Sequence, residues 1–187
     1  SNMKAFIAWS SQSTIAEWRT ACGGHGYSYY ALFGNILGFN DLHQTWEGDN
    51  HVLLMQTQKF LLKCLSLASK NKQIPETVEY LKLGQSNIPS YNGSLENIDD
   101  LSKLFAQRAS YYAIVAAKAV NADPDSAEQA FLDLQAFELR DMCVSYHDTY
   151  SIDTFKNYLN GFNNQETKTV FEKLLLLHIY VRMINDG

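Results

Sequence analysis

The stretch Val52-Leu53-Leu54-Met55-Gln56-Thr57-Gln58-Lys59-Phe60-Leu61-Leu62-Lys63-Cys64-Leu65-Ser66-Leu67-Ala68-Ser69-Lys70 decides the fold class. Leu53, Phe60, Cys64 and Leu67 fall on one stripe at helical spacing, and Leu54, Leu61, Leu65 and Ala68 fall on the stripe beside it. Gln56, Lys59, Lys63, Ser66 and Lys70 occupy the opposite side, so the segment reads as a long amphipathic helix. The same period recurs down the chain. Ile98, Leu101, Phe105, Ala109, Tyr112, Ala116 and Val120 mark the buried face of a second long helix, with Ser94 as its expected N-cap and an end near Asn121. Asp123-Pro124 signals a third helix start, because Asp caps free amides and proline's fixed φ suits a first turn. That helix is predicted to bury Leu132, Ala136, Leu139, Cys143, Tyr146 and Tyr150. A last helix from about Gln165 carries Val170, Leu174, Leu177, Val181 and Ile184 with further leucines between them, which predicts cover on more than one side. No stretch keeps the period-two alternation of a strand, so the expected fold is all-α, a helical bundle.

Composition narrows the function classes. Of the 187 residues 46% are apolar and 19% charged, the balance of an ordered globular chain. A net charge of -5 with no long Lys/Arg cluster supplies no field for a phosphate backbone, so nucleic acid is not an expected partner. Cys22, Cys64 and Cys143 are odd in number and far apart, which predicts neither a disulfide framework nor a zinc site and fits a reducing compartment. The longest apolar run, in 174–181, is broken by His178 and falls far short of the ~20 residues a membrane span requires, so a soluble protein is expected. The N-terminus shows no signal-peptide pattern. Ser1-Asn2 ahead of Met3 reads as a tag remnant, and the apolar helix ending at 187 reads as part of something longer.

Two segments carry chemistry: Ala21-Cys22-Gly23-Gly24-His25-Gly26-Tyr27-Ser28, and Thr45-Trp46-Glu47-Gly48-Asp49-Asn50 leading into Val52-Leu53-Leu54-Met55-Gln56-Thr57. The glycines suit a close approach of backbone to a ligand, but they form neither a Walker loop nor a dinucleotide fingerprint, since Tyr29 stands where a third glycine belongs. In this order and spacing the two segments resemble the acyl-CoA oxidase family, and Met3-Lys4-Ala5-Phe6 through Ile15-Ala16-Glu17-Trp18-Arg19 resembles the helix that precedes the glycine turn there. The resemblance is close over roughly 3–68. Over 95–184 it rests on helix pattern and on Arg108, Ala109 and Ala116-Ala117-Lys118.

The resemblance implies a piece of an FAD-dependent enzyme that desaturates fatty acyl-CoA to trans-2-enoyl-CoA and passes the electrons to O2, as a homodimer in the peroxisome. Glu47 occupies the position of the family's catalytic base, which removes the proton α to the thioester carbonyl. Such a base must be desolvated to exceed the basicity of free Glu. Trp46 and Gly48 take substrate-side roles, as an apolar wall and an uncrowded turn. The Glu47 backbone N–H joins a flavin hydroxyl in polarising the carbonyl, and Gly24, His25, Gly26, Asp49 and Asn50 become candidate cofactor contacts. By the same token, 3–70 corresponds to the end of the catalytic, FAD-contacting helical domain, 71–94 to a linker and 95–187 to the start of a second helical domain. Nothing here resembles the family's N-terminal helical and β domains, so the piece alone is expected to be inactive.

Plainer readings stand beside these. Trp46-Glu47-Gly48 alone is most simply a carboxylate in a helix's first turn, and Gly23, Gly24 and Gly26 a helix C-cap and turn. His43, Glu47 and His51 recur every four residues, as metal ligands on one helix would, yet the motif reads as a helix start, so no metal is expected. His147 and His178 read as partly buried helix residues, and Tyr29-Tyr30-Ala31-Leu32-Phe33-Gly34-Asn35, which would line the acyl channel, leaves chain-length preference unread. Two rivals remain: an acyl-CoA dehydrogenase, which the family usually writes Glu-Gly-Thr rather than Glu-Gly-Asp-Asn, and a catalytically silent helical scaffold.

Overall fold

A computed structural model describes residues 1–85, 92–122, 127–134 and 137–185. The expected helix start at Asp123-Pro124 and the expected buried Ala136 lie outside these. Among the described residues there is no strand. The α-helices are α1 (Asn2–Ala21), α2 (Phe33–Asp41), α3 (Asn50–Ser69), α4 (Ile98–Val120), α5 (Ala127–Asp133), α6 (Glu138–Leu159) and α7 (Gln165–Asn185), with short 3-10 turns at Gly23–Tyr27, Tyr29–Ala31, Leu42–Gln44 and Glu76–Gln85. The chain divides into two units, Ser1–Lys59 and Phe60–Gly187, the division falling inside α3.

In the first unit α1 packs on α2 and on the Gly23–Tyr27 turn. Its buried residues are small or polar, among them Ala5, Ala8, Gly26 and Asn50, with Leu54 the largest apolar one. Tyr29, Tyr30, Leu32, Ile36, Phe39, Leu42 and Trp46 are instead exposed. Most of this unit's large apolar side chains are thus on its surface rather than in a core.

The second unit has two cores. Leu61, Cys64 and Ala68 of α3 meet Ile74, Val78 and Leu81, Ala113 and Ala116 of α4, and Leu139 and Met142 of α6. Leu101 and Phe105 from the start of α4 meet Ile152 and Leu159 from the end of α6, together with Leu175 and Ile179 of α7. Each end of α4 thus faces the opposite end of α6, which makes the two antiparallel. Ala109, Ala113 and Ala116 give α4 a flat side for that pairing. Ile74, Val78 and Leu81 belong to the 71–94 stretch, so this irregular segment contributes buried side chains.

Four sequence expectations are corrected. The N-cap of α4 is Asn97, not Ser94: its side chain accepts from the Asp99 and Asp100 amides, while Asp100 reaches back to the Ser94 amide. Asp100 stands three residues after Asn97 but accepts from the Ser94 amide, while the Asn97 amide donates to the Ser94 carbonyl at 3.3 Å, so Ser94 is bonded into the turn ahead of the helix rather than capping it. The third helix is broken, because Phe137 has φ -124° and ψ -93°, and Leu132 on the short α5 is exposed. Phe60 is 40% exposed, whereas Thr57 and Gln58 on α3 are buried. On α7 the stripe Val170, Leu174, Leu177, Val181 and Ile184 is the exposed one, and Leu175 and Ile179 are buried. This helix is apolar on most sides, so periodicity could not choose its inward face.

Polar ties orient α7 instead. Asp148 on α6, 1% exposed at its side chain, receives Arg182 Nε at 3.0 Å and Nη2 at 3.1 Å, and Arg108 Nη1 from α4 at 3.1 Å. Tyr180 donates to the Leu95 carbonyl at 2.8 Å. One carboxylate therefore joins three helices. Burial pushes the Cys143 thiol up to about 12 and raises that of Cys64, so neither is a nucleophile at neutral pH.

Asp148→Asn leaves two arginines facing a neutral amide. Discounted for their partial exposure, the expected loss is about 2–4 kcal/mol, read by urea unfolding beside the wild type. His147, next in sequence to Asp148, has its imidazole lowered from the ordinary 6.5, first by burial and then by Arg182 and His178, with Asp148 opposing. Its proton binds the unfolded chain more tightly, so its contribution is complete above pH 6.5 and declines as the pH falls below that value. A Tm that drops from pH 7 to 5, with a smaller drop in His147→Gln, is the expected result.

Candidate functional site

The Glu47 motif lies in the connection between the 3-10 turn Leu42–Gln44 and α3, not in a helix's first turn as the plainer reading had it. Glu47 has φ 56° and Gly48 φ 105°. Two successive left-handed residues let the chain reverse into α3, and for a glutamate that region costs on the order of 1 kcal/mol. A Cβ on Gly48 would stand 3.0 Å from Leu53 Cδ2, so both φ and space favour glycine there. The turn is tied on each side. Trp46 donates its indole N–H to His43 Nδ1 at 2.9 Å, and Lys4 Nζ donates to the Gly48 carbonyl at 2.7 Å.

Glu47 itself is exposed, and among the described residues its carboxylate has no hydrogen-bond or ion-pair partner. The desolvation a carboxylate base requires is not supplied by these residues. His43, Glu47 and His51 do not converge: His43 accepts from Trp46, and the His51 ring lies 5.3 Å from that of Trp9. No group of three potential metal ligands occurs among the described residues.

The five expected cofactor contacts separate by what they already do. Asp49 Oδ1 accepts from the His51 amide at 2.9 Å and the Val52 amide at 3.3 Å, so it caps α3. Asn50 is 1% exposed, and its side chain bonds Lys4 Nζ and the Ala5 carbonyl. Gly26 is buried against the end of α1, where a Cβ would stand 2.0 Å from the Arg19 carbonyl oxygen. Arg19 returns the contact, donating to the Gly26 carbonyl at 3.3 Å with its guanidinium 4.3 Å from the Tyr27 ring centre. Gly24 and His25 are exposed, and a Cβ on Gly24 would meet nothing within 4 Å. Internal packing does not demand glycine at 24.

An open groove of about 660 Å3, lined by Leu62, Leu65, Ile114, Val120 and Lys118, lies within the second unit and holds none of these residues. Lys4 was missed by the sequence reading. A lone surface lysine predicts nothing by itself, and its acceptors lie 44 and 46 residues away.

Comparison with known proteins bears on the family and the fold. Residues 1–62 match the family described as acyl-CoA oxidase, C-alpha1 domain. The peroxisomal acyl-coenzyme A oxidase 1 of Phascolarctos cinereus is 30% identical over 196 residues, covering 99% of this chain and 30% of that protein. The chain belongs to the acyl-CoA oxidase family. Acyl-CoA oxidase 3 of Yarrowia lipolytica superposes with a TM-score of 0.88 at 25% identity, over 99% of this chain and 27% of that one. Acyl-CoA oxidase-1 of Caenorhabditis elegans, solved with FAD and ATP, shows the same fold at 24% identity and a TM-score of 0.88, over 98% of this chain and 29% of its own. The chain thus spans less than a third of the length of the acyl-CoA oxidases it matches.

The two inner glycines of the turn give a direct comparison. Gly26→Ala forces its methyl against main-chain atoms of α1 and is expected to cost about 1–3 kcal/mol in chemical unfolding, whereas Gly24→Ala should unfold with the wild type.

Proposed function

We propose that this chain supplies the catalytic base, Glu47, to an FAD-dependent acyl-CoA oxidase that converts fatty acyl-CoA to trans-2-enoyl-CoA. The observation that carries the reading is a glutamate in the left-handed region, fixed by ties on both sides, with an exposed and unengaged carboxylate. A helix cap or a structural ion pair would have used that carboxylate. Here backbone strain is retained with no packing or bonding return, as at sites where strain serves chemistry.

In the reaction, Glu47 takes the pro-enolate proton from the carbon α to the thioester carbonyl. Its own backbone N–H faces the developing oxyanion, and Trp46 forms one apolar side of the space around the reacting carbons. Gly48 leaves that space free of a side chain. Bound FAD would supply the acceptor for the β hydride and the path of the two electrons to O2, with H2O2 as the product. The residues fit such a group in part: Gly24 and His25 are open to contact it, and Gly26 and Asp49 shape the turn and the helix start beside which it would lie. Residues 3–70 then form the end of a catalytic helical domain, 71–94 a connection and 95–187 the start of a second helical domain. The exposed apolar surface around α2 and along α7 would be covered by the rest of the enzyme and by a second copy in a homodimer. A peroxisomal location follows the named relatives. By itself this chain is expected to be inactive.

The test is acyl-CoA-dependent H2O2 release by the full-length oxidase carrying this chain, wild type beside Glu47→Gln. Turnover is expected to fall by several orders of magnitude while flavin content stays unchanged. A loss below about tenfold removes Glu47 from the chemistry. Flavin bleaching without peroxide would identify a dehydrogenase, and neither signal would leave a scaffold.

A further inference from the structure

The strained turn does not hold itself. Glycine at φ 105° is the least restricted point of the loop, so the direction of the Glu47 side chain depends on what immobilises the Gly48 peptide. Lys4, in the first turn of α1, donates from Nζ to the Gly48 carbonyl at 2.7 Å and to Asn50 Oδ1 at 2.8 Å. Asn50 in turn donates from Nδ2 to the Ala5 carbonyl at 3.4 Å and is 1% exposed. The ammonium and the amide thereby close a ring: Lys4 to Gly48, Lys4 to Asn50, and Asn50 back to the residue after Lys4. Both bonds from Lys4 are charge-assisted, the stronger kind. Among the described residues Lys4 forms no ion pair with a carboxylate, so the cation is devoted to this loop.

We propose that Lys4 is a positioning residue for Glu47, with Asn50 as its buried relay: it fixes the Gly48 peptide and so aims the carboxylate at the α proton. The inference rests on the reading of Glu47 as the base. It also changes the role of Asn50 from flavin contact to loop support, since its side chain turns inward to Lys4 and Ala5.

A base displaced by about 1 Å loses on the order of a hundredfold in rate. In the full-length oxidase, Lys4→Met is therefore expected to lower kcat about 10–100-fold, with KM and flavin content near the wild type. Lys4→Arg, which keeps the charge and its donors, should recover part of the loss. Lys4→Met should add little to Glu47→Gln, because both changes act on one proton transfer. In this chain without cofactor, Lys4→Met should speed amide exchange at 46–50 and leave α6 unchanged. If Lys4→Met yields no folded enzyme, Lys4→Gln, shorter and neutral, reads the same quantity. An unchanged kcat beside a large Glu47→Gln loss overturns the role of Lys4 alone. A Lys4→Met loss that multiplies in full with that of Glu47→Gln overturns it too. A Glu47→Gln effect below about tenfold overturns the base assignment, and this inference with it.

Discussion

A lysine ammonium shared between a main-chain carbonyl and a buried amide joins the first turn of α1 to the entry of α3. The geometry of the Glu47 turn is built on that tie. Its buried residues are small or polar apart from Leu54, so apolar packing contributes little rigidity near the turn. Where a core is thin, directional bonds must define geometry, and a cation with two oxygen acceptors does so at a place where side-chain volume does not. The backbone strain at Glu47 persists because the residues on either side are held.

The second unit meets the same need in another way. Its helices enclose two apolar cores, and α7 would be free to rotate about its axis because most of its sides are apolar. Asp148 removes that freedom. A buried carboxylate that must face two guanidinium groups admits one rotation of α7, and the leucines at 174 and 177 are left outward as a result. Burial of an ion triad adds little net stability compared with apolar replacement, so what it contributes here is the directional tie between α4, α6 and α7.

The chemistry proposed for the first unit follows from a division of labour among neighbouring residues. Asp49 caps α3, Asn50 anchors the loop, Gly48 makes room, and only Glu47 is left with nothing to do inside the chain. In the glycine turn the same sorting leaves Gly24 and His25 facing outward, while Gly26 is consumed by contact with Arg19. The chain belongs to the acyl-CoA oxidase family, and on the reading proposed above these residues are what it would contribute to that enzyme's site.

Periodicity was enough to read α3, α4 and α7 as long helices, the all-α class and the buried face of α4 from Leu101 to Ala116, where a polar opposite side makes burial one-sided. The two motifs were legible as well, since their residue types and order are local. Three things needed the tertiary structure. The inward face of α7 was hidden because apolar residues surround it, and the choice is made by Arg182 and Asp148, 34 positions apart. The break before α6 was hidden because the apolar spacing runs across it without interruption. The role of Lys4 was hidden because a lysine's meaning lies in its acceptors, here 44 and 46 residues downstream. Local pattern determines which elements form; which polar group meets which across the fold is decided only when those elements are packed.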